Sequence, residues 1–531
     1  MASTMLWLAL AGPLGLVAVG LLPEPNTRPH AIARLAFGAA LTTLALAAVA
    51  LVMVAACGPL YTRTLGLGGG GLGLYLDGLG VTMFVLVAFV GAAVIRYSRN
   101  YLDGDPNQGV FVQRLCLTVA AVLMLVIAGN LVQLAVAWVA TSLGLHKLLL
   151  FYPERRAAQL AARKKFVLSR LGDACLIGAA VLLYSAFGGL DYPTLFQGAA
   201  VLAASGSDPA AVQAAALLVA LAAILRSAQF PLHSWLIEVM ETPTPVSALL
   251  HAGIINAGGF LVLRLASVMN LSASALDALA VVGAVTALFG SLVMLTQTST
   301  KVSLAFSTVA QMGFMLLQLG LGAFSAALLH MVAHSLYKAH AFLAAGSVID
   351  VLRASWTPSP GGAPHPGRLA IALAAVTAGV LLAGYLLGIS PVAGPGGFAL
   401  GAIVAMSLVL LLANAIDERP SGYVLARAAL AAIGVAALYF VLQRAAEHLL
   451  AGAVPATRVL RGAFDLAIVV GIVGAFAGIT LLQNELARRP ALPLLRALYV
   501  HLANGLYAGT IANRLALRLW PAPSPATHDR R

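Results

Sequence analysis

Charge is the scarcest ingredient of this sequence. Asp, Glu, Lys and Arg make up 9% of its 531 residues and 61% are hydrophobic, against about 25% charged and roughly 45–50% apolar in soluble domains. A globular core cannot hide that much apolar surface, so the composition excludes an ordinary soluble protein and requires bilayer lipid to cover it. Acidic residues are scarcer still: 18 Asp and Glu face 31 Lys and Arg, for a net charge of +13. In a soluble chain that excess would point to nucleic acid. Here the basic residues stand in loops between apolar segments, so topology accounts for them and no nucleic-acid partner is expected. Cysteine is nearly missing. Cys57, Cys116 and Cys175 lie in or beside apolar segments with no CxxC spacing, which excludes a disulfide framework or zinc ribbon and leaves small core residues. Alternating strand patterns are missing too, and this disposes of a literal GxGxxG at Gly66, Gly68 and Gly71. With no strand before it and no βαβ unit around it, it is a loop leading into the third helix. The first apolar run, Met5 to Leu22, lacks a basic leader and an A-x-A cleavage site, and reads as a retained helix.

What is present is a succession of apolar runs long enough to cross a bilayer. Segments of about 18–25 residues fall near 5–22, 31–56, 72–95, 111–128, 130–150, 166–187, 211–230, 245–267, 276–296, 301–320, 324–350, 369–388, 398–416, 423–443 and 463–483. The chain is thus expected to be an all-α polytopic membrane protein with about 13–15 transmembrane helices. Counting loops alternately puts Arg96 and Arg99, then Arg155, Arg156, Arg163, Lys164 and Lys165, then Arg353 and Arg368, then Arg488 and Arg489 on one side. The other side is poor in basic residues until Arg444, Arg458 and Arg461. The positive-inside bias then sets the N-terminus outside and the C-terminal tail in the cytoplasm. Residues 353–368, rich in Pro and Gly, read as a flexible cytoplasmic linker. The tail at 492–520 carries Arg496, Arg514 and Arg518 among apolar residues, an amphipathic stretch suited to the membrane surface or to a partner helix.

The chain is organised around residues 222–264, where an apolar run carries Arg226, breaks at Pro231 and resumes after Pro243 and Pro245. A proline there removes a backbone hydrogen bond, and the carbonyls freed near Leu225 to Ser227 need protein or water. Broken helices near mid-membrane are how ion-coupled transporters build their sites, although a kink with no transport role has the same appearance. His233, Glu238, Glu241 and His251 fall in the same stretch. Ionisable groups at membrane depth are costly and are read first as functional.

Further groups join them. Asp173, close to Arg170, is either an ordinary helix-start residue or, facing inward, a counter-ion for Arg226. His330, His334 and Lys338 recur every fourth residue and stack along one helix face, so they form either a proton relay or satisfied core groups. Lys301 opens a helix and either snorkels to the interface or faces inward. An HxxxH pair can also bind zinc, but no third ligand accompanies it, so no metal site is expected in this chain.

At these residues the chain becomes recognisable. RSAQFPLHSWL, PTPVSALLHAG, QTSTKVSLAFSTVAQMGFM and HMVAHSLYKAHAFLAAGSVI, with YLDGLGVTMFVLV near Asp77 and SRLGDACL near Asp173, closely resemble the large antiporter-like subunits of respiratory complex I and of multi-subunit sodium/proton antiporters. The resemblance covers roughly residues 70–400. It implies a bundle with two inverted five-helix repeats, broken helices, and a mid-membrane row of charged and histidine residues that conducts protons. On that basis the chain divides into N-terminal helices at 1–106, a first repeat at 107–270 with its broken helix at 226–245, a second repeat at 271–418, and C-terminal helices with an amphipathic cytoplasmic tail at 419–531.

The departures from that family are as informative. Where it has a Trp-Glu pair, this chain has Trp138 and Val139. Where it has the broken-helix lysine, this chain has Arg226, which cannot release a proton. The second repeat's lysine has no counterpart in ISPVAGPGGFALGAI at 389–403, and the long lateral helix of the complex I subunit has no room. With LHKLLLFYPERRAAQLAARKKFVLSRLGDACL at 145–176, these changes resemble the DabB subfamily, the membrane subunits of energy-coupled inorganic carbon accumulation complexes. That resemblance implies a DabA-like cytoplasmic zinc protein as partner, with zinc held there and no cofactor in this chain. It also implies a bacterial inner-membrane location, and a cation flow, protons favoured over sodium, that drives uptake of CO2 as bicarbonate. Arg226 would then be a fixed charge with Asp173 its partner. His251, Lys301, His330, His334 and Lys338 would form the conducting row, and His233, Glu238 and Glu241 an entry or partner-facing group. The alternatives are a proton-pumping or Na+/H+ antiporter subunit of a complex I or Mrp-type assembly, and a scaffold that conducts nothing.

Overall fold

A backbone in hydrocarbon must satisfy its own hydrogen bonds, and the apolar runs do so as helices. The computed structural model describes residues 6–66, 71–347, 366–386, 395–415, 422–455, 463–488 and 493–520. Residues 353–365 of the linker, Arg353, Arg458, Arg461 and Arg489, and the first half of the 389–403 segment lie outside the described residues. After a short 3-10 turn, helices Ala11–Gly20, Pro29–Cys57, Gly78–Tyr101, Gln108–Val126, Leu131–Leu149, Arg156–Phe187 and Ala210–Arg226 lead to the broken segment. Ala273–Met294, Thr300–Gly320, Phe324–Leu343, Pro366–Leu386, Pro395–Ala415, Gly422–Leu449 and Ala463–Arg488 follow it. Nine helices among the described residues are long and apolar enough to cross a membrane, with shorter apolar helices beside them. The chain is an all-α, multi-pass membrane protein.

Polar residues at the sequence boundaries start these helices. Asp77 Oδ1 accepts from the Gly80 amide at 2.8 Å, Asn130 Oδ1 from Gln133 at 2.8 Å and Asp191 Oδ1 from Thr194 at 3.1 Å, each meeting an amide that the first turn leaves open.

Two boundaries and one additional helix differ from expectation. The third span begins at Gly78 and not near 72, because Leu60–Tyr61 and Tyr75–Leu76 pair as a small antiparallel hairpin. Gly66 and Gly71 lie between these strands and outside any helix, while residues 67–70, with Gly68, lie outside the described residues. A helix at Tyr192–Ser205, too short to span, adds to the expected elements; it starts after the Asp191 cap with Pro193 in its first turn. The helix Arg156–Phe187 begins ten residues ahead of the expected 166. Lys164 and Lys165, expected in a cytoplasmic loop, are therefore buried inside a helix. Charge counting alone takes every loop-proximal lysine for a topology signal, whereas a lysine with buried acceptors can sit in the bundle.

The segment from Thr244 to Arg264 is buried throughout and forms the centre of the bundle, whereas Gly422–Leu449 exposes its apolar face outward. Apolar helices gain little from one another in lipid, so close backbone packing must hold them. Ala273–Met294 and Thr300–Gly320 meet through glycines. A Cβ on Gly283 would stand 2.6 Å from the Gly313 carbonyl oxygen, and one on Gly313 2.5 Å from the Ala287 nitrogen.

Candidate functional site

The helix Ala210–Arg226 ends where the chain turns at Ala228, whose φ is +49°. The backbone groups released by the break are met by side chains: Gln229 Nε2 donates to the Ser227 carbonyl at 2.8 Å, and the Phe230 amide donates to Thr286 Oγ1 at 3.1 Å. A short helix, Ser234–Glu238, and a 3-10 turn, Val239–Glu241, carry the chain to Thr244–Ala252, which breaks again at Gly253–Asn256 before Ala257–Arg264.

Arg226 is buried at the last residue of its helix. Its Nη2 donates to the Trp138 carbonyl at 2.9 Å, and the guanidinium lies 4.6 Å from the centre of the Trp138 ring, a cation over an aromatic face. Its Nη1 has no partner. The expected pairing with Asp173 is not the one that forms: the Asp173 carboxylate meets Arg170 Nη2 at 2.7 Å. Arg170 lies one turn away on the same helix and reaches the acid without crossing the bundle, while Trp138 occupies Arg226. Val139, in the place of the family's glutamate, is half-buried and supplies no acid.

Two lysines complete this side. Lys165 Nζ donates to the Ser142 carbonyl at 2.5 Å and to Ser142 Oγ at 3.0 Å, and Arg170 Nη2 reaches the same hydroxyl at 3.2 Å. Lys164 Nζ pairs with Glu238 at 2.7 Å and donates to Ser234 Oγ at 3.1 Å and Asn513 Oδ1 at 2.6 Å. A sequence signal for Lys165 existed. Lys165, Ser169 and Asp173 recur every fourth residue, and all three are buried.

Beyond the break, His251 Nδ1 is 2.9 Å from Thr308 Oγ1 and its ring stacks on Phe342 at 4.4 Å, while Nε2 has no partner. Lys338 donates to the Leu304 carbonyl at 2.9 Å and to the Ser307 hydroxyl. His334 is buried with both ring nitrogens unpartnered, 6.0 Å from the half-buried His330 ring. Asn256 Nδ2 binds Ser335 Oγ at 2.7 Å, tying the second break to the histidine helix. The structure thus brings together His251, Lys338, His334 and His330. Lys301 stands apart from them, its Nζ 3.4 Å from Thr244 Oγ1, two helical turns before His251.

The remaining residues lie on the short helical turns that follow the break. His233 is buried among Phe230, Phe289 and Phe306 at 4.8–5.9 Å between ring centres. Glu238 pairs with Lys164, and Glu241 is exposed, its carbonyl accepting from Arg155 Nη1 at 2.6 Å. Tyr152 donates to Asp105 Oδ2 at 2.8 Å under the Arg155 guanidinium. Burial, with the hydrogen bond to Asp105, pushes the Tyr152 phenol up to about 12. The YPER stretch is therefore a brace between the 102–107 turn and the break. Among the described residues no group of three or more His, Cys, Asp or Glu is disposed to hold a metal ion.

A multi-pass bundle with a doubly broken helix and buried ionisable groups around it defines an antiporter-like, cation-conducting membrane subunit. The family model "NADH:quinone oxidoreductase/Mrp antiporter, TM" matches residues 128–356, and "NADH-Ubiquinone oxidoreductase (complex I), chain 5 N-terminus" matches 71–112. The chain is 40% identical to the probable inorganic carbon transporter subunit DabB2 of Halothiobacillus neapolitanus, over 86% of this chain and 82% of that one. It is 37% identical to the corresponding DabB of Hydrogenovibrio crunogenus, over 84% and 83%. NADH-quinone oxidoreductase subunit L of Mycobacterium tuberculosis is 40% identical over 53% of this chain and 44% of its own length. The solved Mrp complex from Dietzia sp. DQ12-45-1b contains a chain of similar fold, with TM-score 0.62 and 25% identity, over 98% of this chain and 60% of that one. The chain belongs to the DabB family of inorganic carbon transporter subunits, within the complex I/Mrp antiporter-like group.

Proposed function

We propose that this subunit conducts protons down their gradient and couples that flow to uptake of inorganic carbon by a DabA-like zinc protein on the cytoplasmic face of the bacterial inner membrane. The observation that carries the reading is the buried His251, His334 and Lys338 with half-buried His330 on one side of the break, and Lys165, Arg226 and Asp173 on the other. These groups are expensive to bury and have no evident structural use. Histidine and lysine exchange protons, while Arg226 stays charged and biases them. Lys164 and Glu238 stand at the cytoplasmic mouth in this reading, where ions enter or the partner is sensed. Zinc and the hydration of CO2 belong to the partner, and the N-terminus lies outside.

The test is labelled inorganic carbon uptake in cells lacking carbonic anhydrase that express this chain with its genomic neighbour. Uptake should require both proteins and should collapse with a proton uncoupler and in Arg226→Ala. Uptake no greater than background, with both proteins shown to be assembled, overturns the coupled pump.

A further inference from the structure

Three cations, Lys165, Arg170 and Arg226, lie within electrostatic reach of one acid, Asp173. Asp173 is taken by Arg170 at 2.7 Å, and among the described residues neither Lys165 nor Arg226 has an acid within ion-pair distance. Both are buried, at 3% and 6% exposure. A buried cation without an acid partner is retained only at high cost, and lysine can be relieved of that cost by giving up its proton whereas arginine cannot. The geometry around Lys165 suits either state. A neutral amine has two N–H groups, and Ser142 offers two acceptors, its carbonyl and its hydroxyl. The nitrogen's lone pair is then left over. A cavity of about 10 Å³, bordered by Lys165, Ser169, Arg226 and Trp235 together with six leucine and isoleucine side chains, has room for about one water. Arg226 Nη1 and Trp235 Nε1, on two of those bordering residues, are buried donors without partners.

We infer that Lys165 is the proton-exchanging group on this side of the bundle, standing in for the lysine that position 226 lacks. A proton arriving on the cavity water passes to the Nζ lone pair: an N–H bond forms, one O–H bond of the protonated water breaks, and release reverses both. Arg226 holds a constant positive charge beside the exchange. The charged and titratable groups facing Lys165 are Arg170 and Asp173 from its own helix, His146 from Leu131–Leu149 and Arg226 from Ala210–Arg226. The inference rests on the proton-conducting reading above.

Its test is chosen so that the two can fail separately. The chain has five lysines, Lys147, Lys164, Lys165, Lys301 and Lys338, so the Nζ signals of the nitrogen-15-lysine-labelled full chain in lipid are few. Lys165→Arg identifies the one that belongs to position 165. That signal should pass from amine to ammonium as pH falls between about pH 9 and about pH 5. In proteoliposomes Lys165→Arg and Lys165→Gln should each lower proton flux more than about tenfold, and Lys165→His should restore part of it with a more acidic pH profile. A role confined to charge or packing would spare Lys165→Arg. An Nζ signal that stays ammonium throughout, or wild-type flux in Lys165→Arg, overturns the inference. Wild-type vesicles that pass no protons would sink the conduction reading alone, and the nitrogen titration would still decide whether Lys165 changes state.

Discussion

Arg264 and Arg226 are both buried arginines at helix ends, and the bundle treats them in opposite ways. Arg264 Nη1 meets Asp77 Oδ2 at 2.7 Å, and the guanidinium lies over Tyr75, Tyr192 and Phe260 at 5.1–5.4 Å. Its acid is supplied, and the pair clamps the end of the broken segment to the start of Gly78–Tyr101. Arg226 receives a carbonyl and a ring but no acid within ion-pair reach. A charge with its partner holds structure; a charge kept from one is available to bias its neighbours. Asp77→Asn should leave Arg264 uncompensated and cost about 3–5 kcal/mol, read as a lower denaturation midpoint in detergent. Asp77→Asn combined with Arg264→Leu should recover part of that loss. An unchanged midpoint in the single variant would mean that the pair contributes nothing.

At the scale of elements, the broken segment is held by helices that barely leave it room. Ala273–Met294 and Thr300–Gly320 approach through Gly283 and Gly313, and the second of these helices carries Thr308, Leu304 and Ser307, which receive His251 and Lys338. Adding one methyl group at Gly313 drives a Cβ into the Ala287 nitrogen and Thr286 side chain at 2.5 and 2.8 Å. Gly313→Ala should therefore destabilise the folded chain by about 1–3 kcal/mol, the usual range for overpacking, measured by denaturation in detergent beside Gly38→Ala, where open space awaits the Cβ. Equal stability of the two variants would contradict the close approach.

For the molecule as a whole, the end of the chain returns to its middle. The amphipathic tail forms two helices, Pro493–Ala503 and Ala508–Leu519, separated at Leu506 and Tyr507 by left-handed backbone. The second lies across the helix Ser234–Glu238 and its neighbours: Asn513 accepts from Lys164, the Trp520 carbonyl accepts from Arg163 Nη1 at 2.8 Å, and Gly509 stands beside Ser234. It buries no residue of its own, so removing it should expose Ser234 and leave the bundle folded. With Cys57→Ser and Cys175→Ser as background, Ser234→Cys should react with a water-soluble thiol reagent severalfold faster when the chain stops after Asn504. Equal rates would show that the tail does not cover Ser234.

The sequence by itself determined the membrane class, most span boundaries but not the early start at Arg156, and the break at Pro231, because hydropathy, proline and polar caps act locally along the chain. It also carried the family in RSAQFPLHSWL and HMVAHSLYKAHAFLAAGSVI. Which charges meet was decided only by tertiary structure. Asp173 takes Arg170 and not Arg226, Lys165 turns from a loop signal into a buried donor to Ser142, and Lys301 stands apart from the histidine row that receives Lys338. The physical reason is that the hydrogen-bond partners of Lys165 and Lys164 lie 23 to 349 residues away along the chain, and a few ångströms of helix packing choose between acceptors that sequence spacing leaves equivalent.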